Sequence, residues 1–248
     1  MLLTTTTLII LTISVFCCSV ITGMMGMAGG VLFLGILASF VETTYVVPIY
    51  AAVMIVSTGS RSILFQKHIN WKIASRYIAG LLPGAFLGIY VFQLLPKDII
   101  KLSMGIFIMA AIFLPVTKKE DHLDIGVFVP VGLVAGFFGI FFGASGPFTS
   151  SFYIRQGIIK EALIATKATC ALLEHILKIV LFGLIGINVL SYGGTVLLLG
   201  LAVIPGIYIG KRLLNKFSDR AFLIVFKVLL FFLALRIIFI QTQKIFFL

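Results

Sequence analysis

The sequence predicts an all-α polytopic membrane protein made of two inverted repeats, with broken or re-entrant helices meeting near the bilayer midplane. Three observations predict it. Composition is the first: of 248 residues, 61% are hydrophobic and 11% charged, whereas a soluble domain carries about 25% charged residues. Phe alone contributes 24 residues, more apolar surface than one soluble core of this size would hide. The second is a pair of long apolar stretches, each interrupted by a glycine cluster. The third is the placement of the basic residues.

Each apolar stretch is long enough to be tested against the roughly 20 residues that span a hydrocarbon core. Leu2–Phe40 is one long region, interrupted at Gly23–Gly30. Val46–Leu64 and Ile73–Phe92 are single spans, and Ile99–Leu114 is a short one. Ile125–Ile154 is long again and interrupted at Gly136–Pro147, and Ile158–Ile185 carries polar residues. Tyr192–Ile209 and Ala221–Ile240 complete the set. Met1–Ser19 has no Lys or Arg, which argues against a cleaved secretory leader with its basic start.

The order of features repeats. Residues 15–30 read VFCCSVITGMMGMAGG and residues 130–147 read PVGLVAGFFGIFFGASGP. Further on, Pro83, Gly84 and Gly88 match Pro205, Gly206 and Gly210 in identity and spacing. The halves are residues 1–115 and 124–248, joined by a linker at 116–123. Matching Gly/Pro-interrupted segments in two halves point to a transporter's binding site.

The chain carries 19 Lys and Arg against 8 Asp and Glu, a formal charge of +11. The cations are dispersed between apolar runs, so they read as topology determinants and not as a nucleic-acid surface. If the two interrupted segments each enter and return on one side, the loops at 61–76, 118–119, 155–160 and 211–220 all face the cytoplasm. Lys97, Lys101 and Lys244 then stay on the other face. If every segment crossed once, the Arg61–Arg76 and Lys211–Arg220 loops would lie on opposite sides, against the positive-inside rule. The localisation that follows is a multi-pass protein of the cell membrane.

Four glycines within Gly23–Gly30 strip helix propensity and admit a sharply turned backbone. A helix break inside the bilayer must face protein or a polar cavity; close packing of small residues is the other use of such glycines. In the second half, Ser145 is placed to cap a new helix and Pro147 suits its first turn. The N–H groups and positive dipole end of that helix form an anion site, with Thr149, Ser150 and Ser151 adding hydroxyls. Gly29 and Gly30 open the matching helix. The candidate substrate-binding residues are therefore Gly29, Gly30, Ser145, Gly146, Pro147, Thr149, Ser150 and Lys167.

Lys167, Glu174 and Lys178 share one helical face, and Glu174 and Lys178 are spaced to pair. A lipid-facing ammonium costs about 3 kcal/mol on insertion scales, so these groups face protein or water. Lys178 either pairs in the interior or snorkels. Glu174 is expected to hold both lysines when the site is empty, and its protonation, aided by His175 on another face of the helix, couples protons to anion binding. Ser57 and Thr58 are read as cross-helix hydrogen-bonding groups, Trp71 as an interface anchor, Glu42 as solvated, and Lys227 and Arg236 as snorkelling. Cys17 and Cys18 point to different sides of a helix. No metal or cofactor is expected, and no catalytic or nucleotide motif appears.

The glycine clusters Gly23–Gly30 and Gly136–Pro147 resemble the two signatures of the sulfite exporter family, TauE/SafE. The resemblance spans nearly the whole chain; Met24, Met25 and Met27 stand where relatives place smaller or β-branched residues. It implies a secondary carrier for a small sulfur-containing oxyanion, sulfite or an organosulfonate, coupled to a gradient such as protons. A passive anion channel and a non-transporting scaffold are the alternatives, and the oligomeric state is open.

Overall fold

The computed structural model describes residues 4–25, 29–113, 123–158, 160–213 and 219–247. Among them run ten α-helices: α1 (Thr5–Met25), α2 (Gly29–Phe40), α3 (Thr43–Leu64), α4 (Trp71–Leu94), α5 (Lys97–Phe113), α6 (Phe128–Phe142), α7 (Gly146–Arg155), α8 (Lys160–Leu184), α9 (Gly193–Leu213) and α10 (Asp219–Phe247). Six segments are long and apolar enough to cross a membrane, lying in α1, α3, α4, α6, α9 and α10. The fold is an all-α, six-span polytopic bundle. The linker 116–122 and the centre of the first glycine cluster, 26–28, lie outside the described residues.

Lipid selects which faces point outward. Leu82, Phe86, Leu87 and Tyr90 of α4, Leu197 and Leu201 of α9, and Phe232 and Phe239 of α10 are all exposed, as a bilayer-facing belt requires. Trp71 is exposed at the first position of α4, where an interface anchor belongs. Lys227 and Arg236 are exposed along α10. Cys17 is exposed and Cys18 buried, on different sides of α1. Glu42 is not merely solvated. It bonds Lys97 at 2.8 Å, and that bond holds its carboxyl below the usual carboxylate range; such an exposed pair is worth about 0–1 kcal/mol.

The long-range packing is itself paired. α4 packs on α6 as α1 packs on α9, while α3 packs on α8 and α5 on α10. This pattern is consistent with an internal pseudo-symmetry. The helix ends agree with it: in the register that sets Gly29 over Gly146, α1 and α6 stop at Met25 and Phe142, and α3 and α8 start at Thr43 and Lys160. α8 is too polar to count among the six spans and runs through the middle of the bundle, against α3 and α4.

The Pro-Gly repeats serve this packing and not the site. A Cβ on Gly84 would strike the Leu133 carbonyl of α6, and one on Gly210 the Val20 carbonyl of α1. Backbones at this distance gain dispersion along the whole crossing, which is how helices associate where lipid is as apolar as Leu. Gly84→Leu or Gly210→Leu should therefore lower stability by about 3 kcal/mol or more, beyond ordinary overpacking, read as a lost thermal transition in detergent. Gly183→Ala, with nothing within 4 Å of its Cβ, should leave the transition where it was.

Candidate functional site

The second helix break is built by Gly143, whose φ of 71° ends α6 in a backbone conformation that L side chains rarely adopt. After Ala144 and Ser145 the chain re-enters a helix at Gly146, with Pro147 in the first turn. Phe128, the first residue of α6, packs against Tyr153 towards the end of α7, with ring centroids 5.0 Å apart and the rings tilted by 46°. The carbonyl of Gly143, left over at the helix end, accepts from Lys178 Nζ at 2.6 Å.

Lys178 is not a snorkelling residue. It is 1% exposed, and it also donates to Glu174 Oε1 at 2.6 Å. The other Glu174 oxygen accepts from Ser145 Oγ at 2.5 Å and from Tyr77 Oη at 3.1 Å. The carboxylate is thus held by three side chains from three helices, the condition under which a buried charge is tolerable. Ser145 stands at the cap position of α7 but makes no side-chain cap bond. Its backbone is helical, with φ −92° and ψ −11°, and not the extended conformation of a capping residue, while its hydroxyl proton goes to Glu174.

A cavity of about 360 Å³ opens beside this network. Gly23 and Gly30 line it from the first glycine cluster, and Ala144, Ser145 and Gly146 from the second. α3 contributes Tyr50, Met54, Ser57, Thr58 and Arg61, and α8 contributes residues from Leu163 through Lys167 to Glu174 and His175. Arg61 and Leu163 lie near adjoining ends of α3 and α8, while Tyr50, Glu174 and His175 lie nearer their middles, so the cavity runs from one end of the bundle towards its centre. Gly30 lies against Tyr50, whose hydroxyl would be 2.9 Å from a Cβ there. The helix starts at Gly30 and Gly146 therefore border one space.

The expected site residues divide. Gly30, Ser145, Gly146, Lys167, Glu174 and His175 line the cavity. Gly29 packs instead against the Cys18 carbonyl and Thr22 Oγ1. The Pro147 side chain lies outside the described residues. Thr149 and Ser150 are buried and outside the lining; Thr149 Oγ1 donates to the Ser145 carbonyl at 3.2 Å, and Ser150 Oγ donates to the Gly146 carbonyl. Ser150 has another task, since Lys167 Nζ donates to its Oγ at 2.5 Å. The ammonium that Glu174 binds is that of Lys178, while Lys167 reaches back to α7. His175 lies on the cavity with Glu174 and not on an unrelated face, its ring edge-on to Tyr50 at 5.7 Å and its Nδ1 buried with no hydrogen-bond partner.

Arg61, Ser57 and Thr58 were expected in other roles and line the cavity, as does Tyr50, to which no role was given. Arg61 belongs to the last turn of α3 and not to the following loop, and its Nε donates to the Ser57 carbonyl at 3.2 Å. The cross-helix hydroxyl bond expected of Ser57 or Thr58 is made by Ser62, to Thr169 at 2.7 Å. A signal for Arg61 was present. The register that sets Gly29 over Gly146 sets Arg61 over Lys178 and Tyr50 over Lys167. Among the described residues, no group of His, Cys, Asp and Glu has metal-site spacing.

A bundle of six membrane-length helices with helix starts bordering a cavity suits a transport protein. The chain belongs to the sulfite exporter TauE/SafE family, whose model matches residues 11–237. It is a family of transporters, so the chain is a transport protein and not an enzyme. No curated relative and no solved structure matches it.

The buried pair sets a stability test. Lys178→Met leaves Glu174 with a buried, uncompensated charge and should cost about 3–5 kcal/mol. The double variant Lys178→Met/Glu174→Gln removes both charges and should recover at least half of that loss in a thermal melt.

Proposed function

We propose that the protein is a secondary carrier for a small sulfur-containing oxyanion, sulfite or an organosulfonate, driven by a proton gradient. The observation that carries this reading is the cavity lined by Arg61 and Lys167 between the helix starts at Gly30 and Gly146. A helix start offers N–H groups and the positive end of the dipole. Two cationic side chains in a water-poor space strengthen that field far beyond its value in water. The volume falls among small-molecule sites, at the low end of about 300–1,000 Å³, with room for a sulfonate and its short organic part.

Glu174 and His175 are the coupling pair in this mechanism. While Glu174 is ionised it neutralises Lys178. A proton on Glu174 removes that negative charge and raises the positive potential felt by an anion nearby, so proton and anion binding favour one another. The bond from Ser145 to Glu174 joins this event to the start of α7.

Two inverted repeats, residues 1–115 and 124–248, account for the architecture in this reading, with α1–α2 and α6–α7 as the returning segments. The contact of Phe128 with Tyr153 supports a return in the second half, and the shared register of helix ends supports the duplication. The Gln66–His68 turn and the Lys211–Arg220 segment then face the cytoplasm, and the cavity opens to that side.

Purified protein in liposomes should move sulfite or sulfoacetate with saturable, proton-gradient-dependent flux. Unsaturated flux indifferent to the gradient would establish the channel reading instead. Lys167→Gln should weaken anion affinity about 10- to 100-fold, or about 1.4–3 kcal/mol, and Glu174→Gln should flatten the pH dependence while retaining affinity. Single cysteines Gln66→Cys and Arg212→Cys should both react with an impermeant reagent from the cytoplasmic side; reaction from opposite sides defeats the inverted repeat.

A further inference from the structure

The cavity has a counterpart that is closed. In the register that sets Gly29 over Gly146, Leu163 and Ile164 of the cavity wall correspond to Val46 and Val47. Gly23 corresponds to Ile140, and Arg61 to Lys178. Leu163, Ile164, Gly23 and Arg61 all line the open space. Their counterparts are shut away: Val46, Val47 and Ile140 are 0% exposed and Lys178 is 1% exposed. Tyr50, Ser57, Lys167 and Glu174 correspond among themselves, Tyr50 to Lys167 and Ser57 to Glu174. They lie at the centre, common to both spaces.

The closed region is not uniformly apolar. It contains the Lys178 ammonium, held by the Gly143 carbonyl and the Glu174 carboxylate at 2.6 Å each. An ammonium beside a helix break is what an oxyanion site needs, and here a carboxylate of the chain's own occupies it. Gly139 of α6 makes the fit possible: a Cβ there would lie 2.5 Å from Glu174 Oε1 and 3.2 Å from Lys178 Nζ. Gly139 corresponds to Thr22, which lines the open cavity. Phe92, packed on Phe182 at 5.0 Å and on Phe141 at 6.0 Å, fills the same end of the bundle.

We propose that the protein has a second oxyanion vestibule on the face opposite the present cavity, walled by Val46, Val47, Ile140 and Lys178, in which Glu174 holds the place of the substrate's anionic group while the vestibule is closed. The proposal rests on the carrier reading and extends it. When the bundle opens to the far face, Lys178 exchanges Glu174 for the oxyanion. Arg61 and Lys178 are then equivalent cations at the two mouths of one path, and the central Tyr50, Ser57, Lys167 and Glu174 are used from both sides. A ligand that satisfies Lys178 leaves Glu174 to take a proton, so opening this face and coupling become one event.

The test uses the full chain in liposomes of known orientation, with Cys17→Ala, Cys18→Ala and Cys170→Ala as background. Ile164→Cys should react with an impermeant thiol reagent from the face bearing the Gln66–His68 turn. Val47→Cys should react from the opposite face, at least tenfold faster than Ile49→Cys. Ile49 is as buried as Val47, but its counterpart Thr166 does not line the cavity. Saturating sulfoacetate on that face should slow modification of Val47→Cys at least threefold. Val46→Cys, the counterpart of Leu163, is the second reporter if Val47→Cys folds poorly. Reaction no faster than Ile49→Cys from either face, in protein that still carries sulfoacetate, overturns the vestibule and leaves the carrier reading standing. Reaction from the same face as Ile164→Cys overturns it too. Far-face reaction without sulfoacetate protection overturns the oxyanion assignment, and absent sulfite and sulfoacetate flux in the same liposomes overturns the carrier reading separately.

Discussion

A helix that stops inside an apolar bundle leaves polar backbone away from bulk water, and much of this architecture answers that one constraint. Each unsatisfied carbonyl or N–H in hydrocarbon costs several kcal/mol. At Gly143 the carbonyl is satisfied by Lys178. That solution brings a second problem, since it places an ammonium in the interior, and Glu174 answers it. Glu174 in turn has two oxygens, and Ser145 and Tyr77 satisfy the other one. The chain of obligations runs from a glycine turn in α6 through α8 to α7 and α4. It also places α8 at the centre, because a helix with Lys167, Glu174, His175 and Lys178 on its inner side has no stable place facing lipid.

The outer helices solve a different problem. With no hydrophobic drive between helices in lipid, association depends on close backbone approach. The small residues of the Pro-Gly segments supply it, α4 against α6 and α9 against α1. These close crossings frame the centre, where two short helices, α2 and α7, begin. Strength at the rim and interrupted helices in the middle are complementary: only a firmly packed frame holds helix starts beside a cavity of about 360 Å³ without collapse.

Much of this was legible in the sequence, and the rest was not for physical reasons. Apolar length gave the helices to within a few residues, because lipid imposes one length scale on them. The interrupted segment 125–154 announced α6, the break and α7 through Gly143 and Pro147, residues with one conformational use each. Side-chain roles were less legible. Ser145 was expected to cap, but its backbone is helical and aims the oxygen away from the N–H groups, and the carboxylate that accepts its proton, Glu174, lies 29 residues away in sequence. Arg61 was read as a loop charge because hydropathy marks where a helix leaves the membrane, not where a long guanidinium points. The Pro-Gly repeats looked like a site since small residues serve both helix packing and cavities, and composition alone does not separate the two.

The same duplication explains why the two halves have diverged where they have. Positions that only pack repeat closely: Pro83, Gly84 and Gly88 have identical partners in Pro205, Gly206 and Gly210. Positions at the centre do not repeat at all, with Tyr50 over Lys167 and Ser57 over Glu174. A strictly symmetric centre would have either two carboxylates or none. Two acids so near one another would repel and demand a proton between them; none would leave Lys178 buried with only the Gly143 carbonyl. In the proposed carrier, one acid among several bases is ionised and paired when the space is empty, and protonated and yielding when an anion enters. In that proposal, asymmetry at the centre of a pseudo-symmetric frame is what lets a single charge change favour one opening over the other.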